Sequence, residues 1–308
     1  MKFNHQLSAL LAGTAITSAI VITLPPNAQA LTGTQVNEVA RAVTVLIVGQ
    51  QGNAQGHGSG VIIAKDGNTY YALTNVHVMY GLDKALLVAP DKEVYEIPLN
   101  KVKFLPDVDL ALVEFTSDKN YQVATLANSE LSSEGQDVFV SGWPAPGHSG
   151  QLIRQFTDGR ISGFLTEPVY GYQMIYTNVT RQGMSGGPVF DAGGRVIAIH
   201  GRGDTEDARR LAGSEGMSPE AAARVASLIK PGFNYAIPIN TYLQLAPQAG
   251  IFLGVKVENS PAPELGTPYQ ASGKPDSRDK IDDINNTLNT VNRALDTVDR
   301  IRRIRLPF

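Results

Sequence analysis

From about residue 43 to residue 251 the chain is a succession of short apolar runs divided by Gly, Asp, Asn and Pro. That spacing predicts antiparallel strands wound into barrels, over 43–48, 60–64, 69–74, 85–88, 110–115, 137–141, 159–163, 174–178, 188–190, 196–200 and 234–238. Two helical patterns interrupt the all-β reading. One covers 34–41. The other opens with Ser218 as N-cap and Pro219 at the first helical position, runs through an Ala-rich stretch to 229, and stops at Lys230-Pro231-Gly232 as an inserted surface excursion.

After Gly254 the pattern changes. Residues 255–276 are rich in Pro, Ser and Gly and read as a flexible linker. Residues 277–306 read as an amphipathic helix. Ile281, Ile284, Leu288, Val291, Leu295 and Val298 alternate steps of three and four, the seam of a coiled coil. Acidic Asp279, Asp282 and Asp283 stand at its start and Arg300, Arg302, Arg303 and Arg305 at its end, both favourable to the helix dipole. Such a helix either joins copies of the chain into a homo-oligomer or docks on its own domain.

The first thirty residues stand apart. Lys2 is their only Lys or Arg, an apolar run follows over 7–24, and the segment closes Pro25-Pro26-Asn27-Ala28-Gln29-Ala30. This is the pattern of a secretory signal peptide with a small-x-small cleavage site, weighed against an uncleaved membrane anchor. The expected organisation is signal peptide 1–30, globular domain 31–254, linker 255–276 and helix 277–306, in an exported, periplasmic or extracellular bacterial protein.

Charge and cysteine content narrow the function classes. A net charge of −3, or −4 once Lys2 is removed with the leader, offers no electrostatic case for nucleic acid. The sequence has no Cys, so disulfides, a lipidated cysteine and a thiol nucleophile are all excluded.

The candidate chemistry lies in three segments. Gly183-Met184-Ser185-Gly186-Gly187-Pro188 surrounds a serine with glycines, which lets the backbone turn tightly and aim the amides of Gly183 and Ser185 at one oxyanion. Alone, it is equally a glycine-rich turn before a strand. Upstream, Tyr71-Ala72-Leu73-Thr74-Asn75-Val76-His77 delivers a histidine to a strand end, where it can act as a base near neutral pH. Between them, Asp107-Val108-Asp109-Leu110-Ala111-Leu112-Val113 puts a carboxylate before a buried strand, able to orient an imidazole. Asp107 is the alternative to Asp109. His5, His57 and His148 fall in the leader, a glycine turn and a Pro-Gly loop, poor positions for a base.

With these segments in the order His, Asp, Ser, the sequence resembles the chymotrypsin-like serine proteases, particularly the bacterial branch of glutamyl endopeptidases and HtrA-type protease domains. The resemblance also runs through Gly58-Ser59-Gly60-Val61-Ile62-Ile63 and Val196-Ile197-Ala198-Ile199-His200-Gly201, and covers roughly 43–251. It implies a double antiparallel β-barrel and a peptidase acting through an acyl-enzyme on proteins or peptides, without metal or organic cofactor. Ser185 is then the nucleophile, His77 the general acid and base, Asp109 the orienting residue, and the amides of Gly183 and Ser185 the oxyanion hole.

Val179 stands where trypsin-like enzymes place an Asp for basic side chains, and Thr180 and His200 fall where glutamyl endopeptidases bind a substrate carboxylate. A hydroxyl and an imidazole suit that ligand, with Arg181 and Arg202 nearby. The expectation is cleavage after Glu or Asp. Two other readings stand beside it: a protease fold kept as a silent binding module, and an HtrA-like quality-control protease assembled through its tail.

Overall fold

The computed structural model describes residues 22–23, 30–146, 150–203, 233–265 and 277–281. The first barrel is a seven-stranded antiparallel sheet in the order Val94–Glu96, Lys84–Val88, Thr44–Gln51, Ala54–Asp66, Thr69–Thr74, Ala111–Thr116, Lys103–Phe104. Its Val- and Ile-rich central strands are buried along most of their length. That run of buried residues explains why the sequence shows solid apolar blocks there rather than clean alternation.

The second barrel closes on itself. Pro188–Phe190, Asp137–Gly142, Gln155–Val169, Tyr172–Tyr176 and Asn234–Pro238 follow one another as antiparallel neighbours. Val196–Gly203 pairs with both the first and the last of them, completing a six-stranded ring. The protein therefore has the two-barrel architecture expected of the chymotrypsin-like fold. Outside the ring, Leu126–Ala127 and Val257–Glu258 lie parallel to one another, and Leu126 also pairs with Val196. Ile22–Thr23, from the predicted leader, runs parallel to Val257–Glu258.

The first predicted helix spans Gly33–Val43, two residues longer at its C-terminal end than its pattern indicated. Thr32 caps it: its Oγ accepts from Gln35 N–H, while the Gln35 side chain accepts from Thr32 N–H. Val36, Ala40 and Val43 recur at helical spacing and are buried in a core that draws on both barrels. The helix thereby joins the two halves.

Several expectations are corrected. The predicted linker 255–276 begins inside the domain, because Val255 and Val257 are buried in the core and Val257–Glu258 is a strand. Arg195 also donates to Ser260 Oγ and to the Pro261 carbonyl, so the folded unit extends past 254. Of the predicted helix 277–306, only 277–281 lies within the described residues. There Ser277–Asp279 is a 3-10 turn and Lys280–Ile281 a strand paired with Leu152–Ile153. Tertiary pairing with Leu152–Ile153, together with the two arginines that hold Asp279, overrides the local helical pattern. The inserted helix at 218–229 lies outside the described residues. Short Ile239–Leu245 is a helix that the apolar pattern did not reveal.

Candidate active site

Register explains how His77 and Asp109 meet. Thr74 lies opposite Ala111 in adjacent antiparallel strands, so the residues just after Thr74 and just before Ala111 emerge at one end of the sheet. Asn75 turns the chain into the four-residue helix Val76–Met79 and donates its side-chain N–H to the Asp109 carbonyl at 2.8 Å. His77 Nδ1 then stands 2.6 Å from Asp109 Oδ2, and the His77 backbone N–H donates to Oδ1 at 3.0 Å. With Nδ1 carrying the proton toward the carboxylate, Nε2 is left as the basic nitrogen.

A further donor reaches the same carboxylate: Tyr172 O–H, at 2.6 Å from Oδ2. Burial by itself would raise the Asp109 carboxyl. The hydrogen bond and charge of His77, aided by Tyr172, outweigh it and hold Asp109 below the ordinary carboxylate value. Burial first, then the Asp109 charge, pushes the Tyr172 phenol well above its ordinary value, so it stays a donor. Asp107 takes a left-handed backbone, φ 59°, in the turn ahead of Asp109, and it is Asp109 that meets His77.

Ser185 comes from the second barrel, in the loop before Pro188–Phe190. A Cβ at Gly186 would lie 2.1 Å from the Ser59 carbonyl oxygen, and one at Gly183 2.4 Å from His57 Nε2. Both glycines also have positive φ, 85° and 95°, so each position demands glycine twice over. The Ser185 hydroxyl donates to the Gly201 carbonyl at 3.3 Å rather than to His77. Ser185 and His77 line one cleft of about 680 Å³. Among the described residues, the N–H groups of Gly183 and Ser185 have no acceptor.

The two expected specificity residues are differently placed: Thr180 lines the cleft, whereas His200 is buried on the Val196–Gly203 strand. Thr180 Oγ donates to the Asn234 side-chain oxygen, and Asn234 donates to the Asn178 carbonyl. His200 is buried, with Nδ1 2.5 Å from the Tyr176 hydroxyl. Burial, with the His77 charge behind it, pushes His200 down to about 3. The His200 imidazole is therefore neutral. When Tyr176 donates to Nδ1, the neutral ring presents Nε2–H as a donor. Arg181 is exposed along the cleft, whereas the Arg202 guanidinium lies over the rings of Tyr170 and Tyr172, at 5.5 and 5.0 Å.

His57, assigned no role from its glycine turn, is corrected too. It lies on a strand, lines the cleft, and sits 3.0 Å from the Trp143 carbonyl. Burial lowers its basicity, partly offset by the carbonyls of Trp143 and Pro144. Sequence reasoning also missed Tyr172, which no local pattern marks, and Ser59, which lies in a quoted Gly-Ser-Gly motif. Among the described residues, no group of three or more His, Cys, Asp or Glu could hold a metal ion, and no helix is long and apolar enough to cross a membrane.

Comparison with known proteins bears on the fold and the family. Residues 58–199 match the family described as trypsin-like peptidase domain. A probable periplasmic serine endoprotease, DegP-like, of Halomonas elongata is 32% identical over 206 residues, 63% of this chain and 37% of that protein. The serine protease Do-like HtrB of Bacillus subtilis is 29% identical over 150 residues, 46% of this chain and 32% of that protein. The chain thus spans about a third of the length of these curated relatives. Among solved structures, "HtrA-type protease AlgWS227A with tripeptide" has a TM-score of 0.53 at 21% identity, covering 71% of this chain and 63% of that one, a likeness of fold. The two barrels thus share the fold of the chymotrypsin-like proteases, and residues 58–199 within them are similar to the trypsin-like peptidase domain.

Proposed function

We propose that the protein is an exported serine endopeptidase that hydrolyses peptide bonds through an acyl-enzyme on Ser185. The observation that carries this reading is the His77–Asp109 pair, closed at 2.6 Å, facing Ser185 across a cleft where two backbone N–H groups stand unpaired. His77 Nε2 takes the hydroxyl proton as Ser185 Oγ adds to the substrate carbonyl carbon. The developing oxyanion accepts from the amides of Gly183 and Ser185, and His77 then passes its proton to the departing amine as the C–N bond breaks. Water repeats the sequence against the ester, and Oγ leaves with the proton.

Preference for Glu or Asp before the scissile bond belongs to the same proposal. It is supported by the neutral His200 donor, by Arg181 on the cleft, and by the absence of any carboxylate among the described residues lining it. Thr180 joins a substrate carboxylate by exchanging its Asn234 partner for the ligand. Export is supported by the leader pattern of residues 1–30 and by the periplasmic designation of the Halomonas elongata relative.

The test is digestion of a mixed peptide library, with products read by mass spectrometry. Cuts after Glu and Asp are expected, and Ser185→Ala should lower turnover by about 10⁴-fold or more without unfolding the protein. His200→Ala should reduce the acidic preference about tenfold, on the scale of one lost hydrogen bond. Unchanged hydrolysis in Ser185→Ala overturns the peptidase reading; unchanged preference in His200→Ala overturns only the pocket. A silent binding module would neither cut nor take a serine-directed fluorophosphonate.

A further inference from the structure

We infer that Ser59, braced by His57, is a positioning residue that presets the oxyanion hole; this rests on the peptidase reading above. In a trans peptide the N–H points opposite the preceding carbonyl, so whatever grips the carbonyls of a loop aims its amides. Four successive carbonyls of the Ser185 loop are gripped. Gln182 C=O accepts from Ala145 N–H at 2.7 Å, and Met184 C=O from Gly187 N–H at 2.9 Å. The other two belong to Ser59: its Oγ donates to Gly183 C=O at 2.8 Å, and its N–H to Ser185 C=O at 2.7 Å. The Gly183 and Ser185 amides share their peptides with the Gln182 and Met184 carbonyls, which Ala145 and Gly187 hold. Ser59 fixes the alternating peptides 183–184 and 185–186, which flank the Ser185 amide on both sides and the Gly183 amide on one, and so locks the planes against which the two amides are set.

Ser59 is fully buried and uses every polar atom it has. Besides the two bonds to the nucleophile loop, its Oγ accepts from Trp143 N–H at 2.8 Å and its carbonyl accepts from Thr74 Oγ at 2.7 Å. Thr74 ends the strand that delivers His77, so one side chain and its peptide connect the base's strand, the nucleophile's loop and the 143–145 segment. His57 completes the brace. Its Nε2 meets the Trp143 carbonyl at 3.0 Å and lies 2.4 Å from the Cβ position of Gly183, filling the space beside that glycine. The segment it holds is the one whose Ala145 N–H restrains Gln182.

Alanine at 59 would leave the Gly183 carbonyl without its donor and Trp143 N–H without its acceptor, both in a buried place. The loop would then relax toward water or a turned peptide, and the oxyanion would lose alignment rather than the substrate losing its seat.

The experiment is steady-state cleavage of a peptide substrate by wild type, Ser59→Ala, His57→Leu and His57→Gln, with two ligands measured beside it. One is a peptide boronic acid, to whose boron Ser185 Oγ adds while its proton passes to His77, leaving a tetrahedral boronate oxygen in the hole. The other is a product peptide that binds without reacting. Ser59→Ala is expected to lower kcat about 10–100-fold with KM within about twofold, given that loss of a whole oxyanion donor costs about 10²–10³. Boronate affinity should fall in parallel with kcat and product affinity should hold. His57→Leu should lose about tenfold in kcat, and His57→Gln, which keeps an N–H near the Trp143 carbonyl, should stay within about threefold of wild type.

Wild-type kcat in Ser59→Ala, or equal weakening of boronate and product, overturns the inference. Should Ser59→Ala fail to fold, equal kcat in the two His57 variants overturns it instead. Wild type with no Ser185-dependent turnover overturns the peptidase reading itself.

Discussion

The barrels meet along two polar seams that are built alike and finished differently. At one, Thr44 of the first barrel donates to Ser141 of the second at 2.9 Å, and buried Arg154 spends its whole guanidinium: Nη1 on Ser141, Nη2 on Asn37 and Nε on Asp279. Asp279 in turn accepts from Arg41, at 2.7 Å from Nη2. The other is the proposed catalytic cleft, where His77 and Asp109 are matched but the amides of Gly183 and Ser185 are left open among the described residues. A saturated buried network holds structure, because any lost partner strands a charge. An incomplete one at a cleft holds chemistry, since the missing partner is what arrives and reacts.

The sharpest way to break this contrast is to remove one carboxylate from each seam. Asp109→Asn should cost about 10⁴ in kcat, as the imidazole loses its tautomer and its counter-charge, while unfolding by denaturant moves little. A large loss of stability with modest loss of kcat would mean that Asp109 belongs to the structural class. Asp279→Asn should do the opposite, destabilising by about 3 kcal/mol because Arg154 and Arg41 lose their shared counter-ion. Cleavage at a temperature where the variant stays folded should change by less than about threefold.

A pH-dependent effect separates two histidines of these barrels, the proposed base His77 and enclosed His200. A buried histidine whose basicity is pushed down to about 3 binds its proton only when unfolded, over the range between that value and about 6.5. Stability from His200 is therefore full above about pH 6.5 and falls as pH drops toward 4, by roughly 1.4 kcal/mol per pH unit. His57, also lowered, acts in the same direction. Asp109, lowered instead from the carboxylate range, adds its own loss only as pH falls further. Denaturant titrations from pH 7 to 4 on wild type and His200→Gln should show a shallower slope in the variant, and equal slopes would place the proton elsewhere.

The strands over 69–74, 188–190 and 234–238 were legible to the residue, because each is a compact apolar block bounded by turn formers. Two-residue strands such as Leu126–Ala127 and Val257–Glu258 were not, since no periodicity fits in two residues and only the neighbouring chain makes them strands. The linker prediction failed for the same reason: composition marked 255–276 as polar and breakable, while Val255 and Val257 found places in a core that the sequence does not display.

By itself the sequence determined which groups form the proposed triad, since His77, Asp109 and Ser185 each sit at a strand end or glycine turn whose local pattern dictates where it emerges. It also specified glycine at 183 and 186, where backbone conformation and crowding allow nothing else. Tertiary structure alone decided the electrostatics and the bracing. Tyr172 reaches Asp109 across 63 residues of chain, Ser59 reaches Gly183 across 124, and His200 becomes neutral only because the second barrel closes around it. Residue type and local spacing state which groups are available; protonation and alignment depend on the desolvation and hydrogen bonds that distant segments impose once they pack.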